Sequence, residues 1–97
     1  MKQEAFKTSA EFIAKRNVSD RVLRVIVSFD RREAHLKVIY HLRCDPEESD
    51  YEDCELTCAE LVAEFPEIKV AETRCVSDAV CGNDIGDIGE VVFSCEK

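Results

Sequence analysis

The residues of this chain with chemistry to offer are six cysteines, two histidines and an uncommon density of carboxylates. The cysteines are Cys44, Cys54, Cys58, Cys75, Cys81 and Cys95, and no two of them have the C-x-x-C spacing of a redox motif. Cys54 and Cys58 fall four apart within a helical pattern, and Cys75 and Cys81 fall six apart. A zinc site drawn from those two pairs is one reading. The other is that the thiols are buried and act as small hydrophobes, and the absence of a zinc-module spacing favours it. A disulfide framework needs an oxidising compartment, and the N-terminus shows no apolar run of signal-peptide length. All six thiols are therefore expected to be reduced, with Cys54 and Cys58 buried where a helix meets a sheet.

His35 and His41 share one face of a strand pattern but are six residues apart. Same-face neighbours on a strand are two apart, so they make a poor metal pair. Cys44 lies close to His41 in sequence, yet nothing marks the third, orienting group that a nucleophile–base pair needs. The glycine-bearing segment Gly82 to Gly89 lacks the Gly-Lys-Ser/Thr ending of a phosphate-binding loop and the terminal Glu of an EF-hand. No catalytic residue, no metal ligand and no cofactor is expected. The chain reads as a protein that binds another protein, not as an enzyme.

The carboxylates carry the strongest signal. Ten of them lie between Asp45 and Glu67, a stretch with no Lys or Arg. Asp50, Asp53, Thr57, Glu60 and Glu64 recur at 3-4-3-4 spacing, so they form one stripe of a helix. Acids in a first helical turn suit the helix dipole, but Glu60 and Glu64 lie toward the end that prefers cations. Either the stripe is a solvated face that keeps the protein soluble, or it is a docking surface for a basic partner. Leu56 stands on the far side of this helix from its apolar stripe, among Glu52, Asp53 and Glu60, like a small apolar centre with a polar rim. Asp78, Asp84 and Asp87 add acid to the long loop Ser77 to Gly89. The candidate partner-binding residues are thus Asp50, Asp53, Leu56, Glu60, Glu64, Asp78, Asp84 and Asp87.

Charge divides along the chain. Residues 1–43 hold ten Lys/Arg and five Asp/Glu, whereas residues 44–97 hold three and sixteen. An acidic half argues against direct nucleic-acid binding, because phosphates repel carboxylates. No apolar stretch approaches the roughly 20 residues of a membrane span. A cytoplasmic location away from membranes is expected, and the oligomeric state is not legible.

These side chains need elements to hold them. Phe6, Ala10 and Ile13 predict a helix over about 3–16, closed by Asn17 in a left-handed conformation, with Phe12 off the stripe and able to touch a second surface. Residues 21–29 alternate, with Leu23, Val25, Val27 and Phe29 on one face. Residues 35–43 do the same with Leu36, Val38, Tyr40 and Leu42. A short charged turn joins them into an antiparallel hairpin whose other face is half polar and expected to be wet. Asp45 as cap, Pro46 as first residue and Glu48 closing a capping box predict a second helix, which Pro66 stops. Its apolar stripe is Tyr51, Cys54, Cys58, Leu61 and Phe65. Residues 68–76 and 90–96 predict two more strands, the last with Val91, Phe93 and Cys95 on one face, and the two are expected to form a second hairpin. The expected fold is α+β in the order α-β-β-α-β-β. A four-stranded, mainly antiparallel sheet carries two helices on one face, in a single domain over residues 1–97.

The strings RVLRVIVSF, LKVIYHL, DPEESDYEDCELTCAELVAEFPEI and IGEVVFS resemble small bacterial immunity proteins of contact-dependent growth inhibition and related polymorphic toxin systems. The similarity spans about residues 18–70 and the last strand, and it is one of pattern: a hydrophobic hairpin, an acidic helix ending in Glu-Phe-Pro, and a final strand. The resemblance implies tight binding to a cognate toxin domain, blocking its active site. Many such toxins are nucleases with basic surfaces, which the acidic helix would suit. Two alternatives stay open: an acidic regulatory adaptor or nucleic-acid mimic that binds a host protein without a paired toxin, and a cysteine-based metal or redox protein.

Overall fold

A computed structural model of the chain describes residues 3–77 and 90–94. The order is α1 (Gln3–Asn17), β1 (Val22–Asp30), β2 (His35–Leu42), α2 (Glu48–Glu64), β3 (Val70–Ser77) and β4 (Glu90–Ser94). The α+β class and the α-β-β-α-β-β order are as expected. The strands form one sheet in the order β3-β2-β1-β4, and both helices pack on one face of it.

The connectivity of the second half is not a hairpin. β3 lies parallel to β2, while β4 lies antiparallel to β1, so these two strands occupy opposite edges. A parallel neighbour requires a crossover, and α2 supplies it by carrying the chain back over the sheet between β2 and β3. Residues 78–89, which separate β3 from β4, far exceed the two to five or so residues of a hairpin loop.

The core forms between this face of the sheet and the two helices. Phe6, Ala10, Ile13 and Ala14 come from α1, Leu36, Val38, Tyr40 and Leu42 from β2, and Cys54, Cys58 and Leu61 from α2. Two bulges alter the expected alternation. Val22 pairs with Leu42 but Arg24 pairs with His41, so β1 holds one extra residue at Leu23. An extra residue reverses the in–out order across it. Val22 therefore joins Val25 and Val27 in the core, and Leu23 is left half-buried. In β4 the pairing skips Val92, which is buried in the core with Phe93 packed against it.

The other face of the sheet is not wet at its centre. Ile26 and Ile39 sit opposite one another and pack with Val76 as a second small cluster, and His41 is buried as well. Phe12 touches no second surface of the core. It is 65% exposed, with the Arg16 guanidinium 5.3 Å from its ring centroid. Asn17 remains helical, and among the described non-glycine residues Ala34 alone has a positive φ, 53°. Its carbonyl accepts the Lys69 and Val70 N–H groups at 2.9 and 3.1 Å, which ties the β1–β2 turn to the start of β3.

Candidate protein-binding site

α2 begins two residues later than its sequence signature indicates. Glu47 is the N-cap, and Asp50, at the third helical position, accepts the Glu47 backbone N–H at 2.8 Å. The capping box is thus made by Glu47 and Asp50, not by Asp45 and Glu48, and Pro46 precedes the cap. The helix ends at Glu64, one residue before the Phe65 C-cap and two before Pro66.

The face that α2 buries is rotated from the expected stripe. Cys54, Cys58 and Leu61 are buried as predicted, but Tyr51 is 47% exposed, and Asp50 and Thr57 are buried in its stead. Each of these polar residues meets a partner from elsewhere in the chain. Arg21 donates from Nε to both Asp50 oxygens at 3.0 and 3.1 Å, and from Nη2 at 2.9 Å. Burial by itself would raise the Asp50 pKa. The Arg21 hydrogen bonds, the Glu47 N–H and the Arg21 charge together outweigh it and hold the carboxyl below its usual range. Tyr40 and Thr57 share a hydroxyl–hydroxyl hydrogen bond in the core.

Glu60 and Glu64 of the acidic stripe face α1. Asn17 Nδ2 donates to Glu60 at 2.8 Å and Arg16 pairs with it at 2.7 Å, so the Glu60 carboxyl is held below its ordinary range. Ser9 donates to Glu64. Glu60 and Glu64 are not left uncompensated at the end of the helix, because cations and donors of α1 reach them. Asp53 is half-buried, and burial, with Asp50 nearby, raises its pKa.

The surface α2 turns outward carries Glu48, Glu52, Glu55, Leu56, Ala59 and Ala63, all exposed. Among the described residues no cation pairs with Glu48, Glu52 or Glu55, and the last turn of the helix holds no basic residue. Leu56 is 47% exposed on this face, as expected. Of the eight candidate residues, Leu56 lies on the outward surface, one turn beyond Glu52. Asp53 lies at its margin, and Asp50, Glu60 and Glu64 take part in contacts within the fold. Asp78, Asp84 and Asp87 lie outside the described residues. Glu48, Glu52 and Glu55 were missed although their 4-3 spacing makes a second acidic stripe, because attention went to the longer stripe from Asp50 to Glu64.

The other chemical candidates are held in place by packing. The Cys54 thiol is buried against the Val38 and Arg74 carbonyls at 3.6 and 3.7 Å. A hydrogen bond with Cys75, together with burial, pushes its pKa up, so it stays a neutral thiol. Cys44, Cys54, Cys58 and Cys75 are all free. Cys81 and Cys95 lie outside the described residues. Among the described residues no group of three or more His, Cys, Asp or Glu could hold a metal ion. Cys44 is exposed in the segment after β2, whereas His41 is buried on the outer face of the sheet. A depression lined by Lys37, Val38, Ile39, Glu72, Thr73 and Arg74 holds only ≈ 30 Å³, against the roughly 300 Å³ or more of a small-molecule site. No helix among the described residues is long and apolar enough to cross a membrane.

No protein-family model matches the chain, and no curated protein matches it.

Proposed function

We propose that this chain is a cytoplasmic immunity protein that binds a basic toxin domain, of the nuclease kind, and covers its active site with the outward face of α2. The observation that carries this reading is the set of unpaired carboxylates Glu48, Glu52 and Glu55 on the same outward surface as the exposed Leu56. The fold uses Asp50, Glu60 and Glu64 of α2 to bind Arg21 and α1, and among the described residues it makes no such use of these three. An acidic surface that carries an exposed apolar side chain suits a positively charged site built for phosphates, because complementary charge steers encounter and the desolvated apolar anchor holds the complex.

The test is the association rate against salt with the toxin domain encoded beside this chain. Wild type is expected to associate quickly at low salt, toward about 10⁸–10⁹ M⁻¹s⁻¹, and to slow as salt rises. Glu52→Lys with Glu55→Lys should slow association and flatten the salt dependence. Leu56→Ala should speed dissociation. Equal association rates for wild type and the double reversal would remove α2 from the mechanism. Failure to bind any adjacent effector would remove the immunity reading itself and leave the acidic-adaptor reading.

A further inference from the structure

The two edges of the sheet are built differently. β4 is five residues long and bulged at Val92. β3 is eight residues long and pairs with β2 without a register shift. It contains no proline and no lysine, and its two charged residues, Glu72 and Arg74, are of opposite sign. Among the described residues no strand pairs with its outer side. A long, regular edge that no described residue pairs with is a template for another strand.

The residues of β3 name that strand. Val70-Ala-Glu-Thr-Arg-Cys-Val76 is complementary to itself when it is laid antiparallel about Thr73. Val70 then faces Val76 of a second copy, Ala71 faces Cys75, Glu72 faces Arg74, and Thr73 faces itself. Both oppositely charged pairs form at once, and directly opposed residues of opposite charge stabilise an antiparallel ladder. Val70, 54% exposed, and the exposed Ala71, Glu72 and Arg74 all lie on this strand.

α2 reinforces the same boundary. Its Thr57, Glu60 and Glu64 turn toward α1. At 100° per residue Tyr51, Cys58 and Val62 occupy the opposite flank, which overlies β3, where Cys54 meets the Arg74 carbonyl and Cys75 meets the Asp50 carbonyl. Exposed Tyr51 and half-buried Val62 therefore border the free edge with apolar surface.

We propose that the chain forms a two-fold symmetric homodimer through β3, joining the two sheets into one with Glu72 and Arg74 exchanged across the axis. An isologous contact of this kind closes on itself and leaves no further edge of the same type. It leaves the outward face of α2 open, so it stands or falls independently of the toxin partner.

The experiment uses the full chain alone, in sedimentation equilibrium across the micromolar range. Wild type is expected to be dimeric. Glu72→Arg and Arg74→Glu each set like charges opposite one another at both symmetric positions. Each should weaken the dimer by about tenfold or more, and far-UV circular dichroism should show the fold intact, since both residues are exposed and Glu72→Arg breaks within the chain only the surface contact of Glu72 with His35 at 2.9 Å. Mixing the two variants should restore association as a heterodimer, because one chain then offers two arginines to the other's two glutamates. A second sheet or helix surface acting as the interface would not show this rescue. Wild type that stays monomeric overturns the proposal, as does a dimer that neither reversal weakens or a mixture that forms no heterodimer. A monomer that pairs its β3 edge only with a foreign peptide strand overturns it in favour of that strand.

Discussion

Valine in place of Thr57 keeps the shape of the side chain and removes its hydroxyl. Thr57 and Tyr40 are both fully buried, and their hydroxyls bond each other where α2 crosses the sheet. The remaining acceptor for the Tyr40 hydroxyl is the Asp53 carbonyl at 3.4 Å, too long for a strong bond. Leaving a buried donor poorly satisfied costs about 1–3 kcal/mol, and the Asp53 carbonyl offsets part of it, so about 1.5 kcal/mol is expected for Thr57→Val. A domain of this size loses about 4–8 °C of Tm per kcal/mol, which makes the change easy to read. Tyr40→Phe leaves Thr57 Oγ1 still accepting from the Asn17 amide at 3.3 Å and should cost about 1 kcal/mol. The double variant removes both partners and leaves an apolar contact of similar shape, so its cost should fall well below the sum of the two. Urea unfolding of the four proteins, followed by circular dichroism, measures the cycle. Additive costs, or a Thr57→Val change of less than about 0.5 kcal/mol, the range of an ordinary surface substitution, would refute the reasoning. The pH dependence adds a second check. Burial pushes the Tyr40 phenol well above its ordinary value. Its contribution is fully present below the unfolded pKa of about 10, and stability should fall as pH rises beyond it, because only the unfolded chain ionises there. In Tyr40→Phe that alkaline loss should shrink.

Asp50→Ala removes the acceptor of the Glu47 N–H and should cost at least the ~1 kcal/mol of a lost helix cap, against a negligible change for the exposed neighbour Glu48→Ala, both read by urea unfolding. Because the folded Asp50 pKa is depressed, its contribution is present above the unfolded value near 4 and is lost as pH falls through the folded one, so acid titration of stability should be shallower in Asp50→Ala. Iodoacetamide labelling mapped by mass spectrometry should modify exposed Cys44 quickly and buried Cys54 only at the rate of unfolding; comparable rates would contradict the burial of the Cys54 thiol.

Periodicity located most of the elements. The Phe6, Ala10 and Ile13 stripe and the Leu36, Val38, Tyr40 and Leu42 alternation each define one face of one element, and Pro66 ends α2 by local sterics. These features depend on neighbours a few residues away, so they are legible in the residues themselves. Cys54, Cys58 and Leu61 were placed in the core by the same logic. Leu56 was placed on the outside by simple helical geometry.

What only the tertiary structure decided is which partners arrive from a distance. Whether β3 pairs with β4 or with β2 depends on the path of α2 across the sheet, and alternation within a strand carries no record of its neighbour. The bulges at Leu23 and Val92 are properties of a pair of strands, so neither strand alone reveals that Val22 and Val92 turn inward. The acidic stripe of α2 shows this most plainly. Read alone, Asp50, Glu60 and Glu64 are charges that belong in water. They are satisfied within the fold because Arg21 lies 29 residues from Asp50, Asn17 43 from Glu60 and Ser9 55 from Glu64, and folding brings those donors to them. Burying a carboxylate such as Asp50 costs free energy that pairing must offset, and the pairing here is a fact of the packed elements that no local pattern contains.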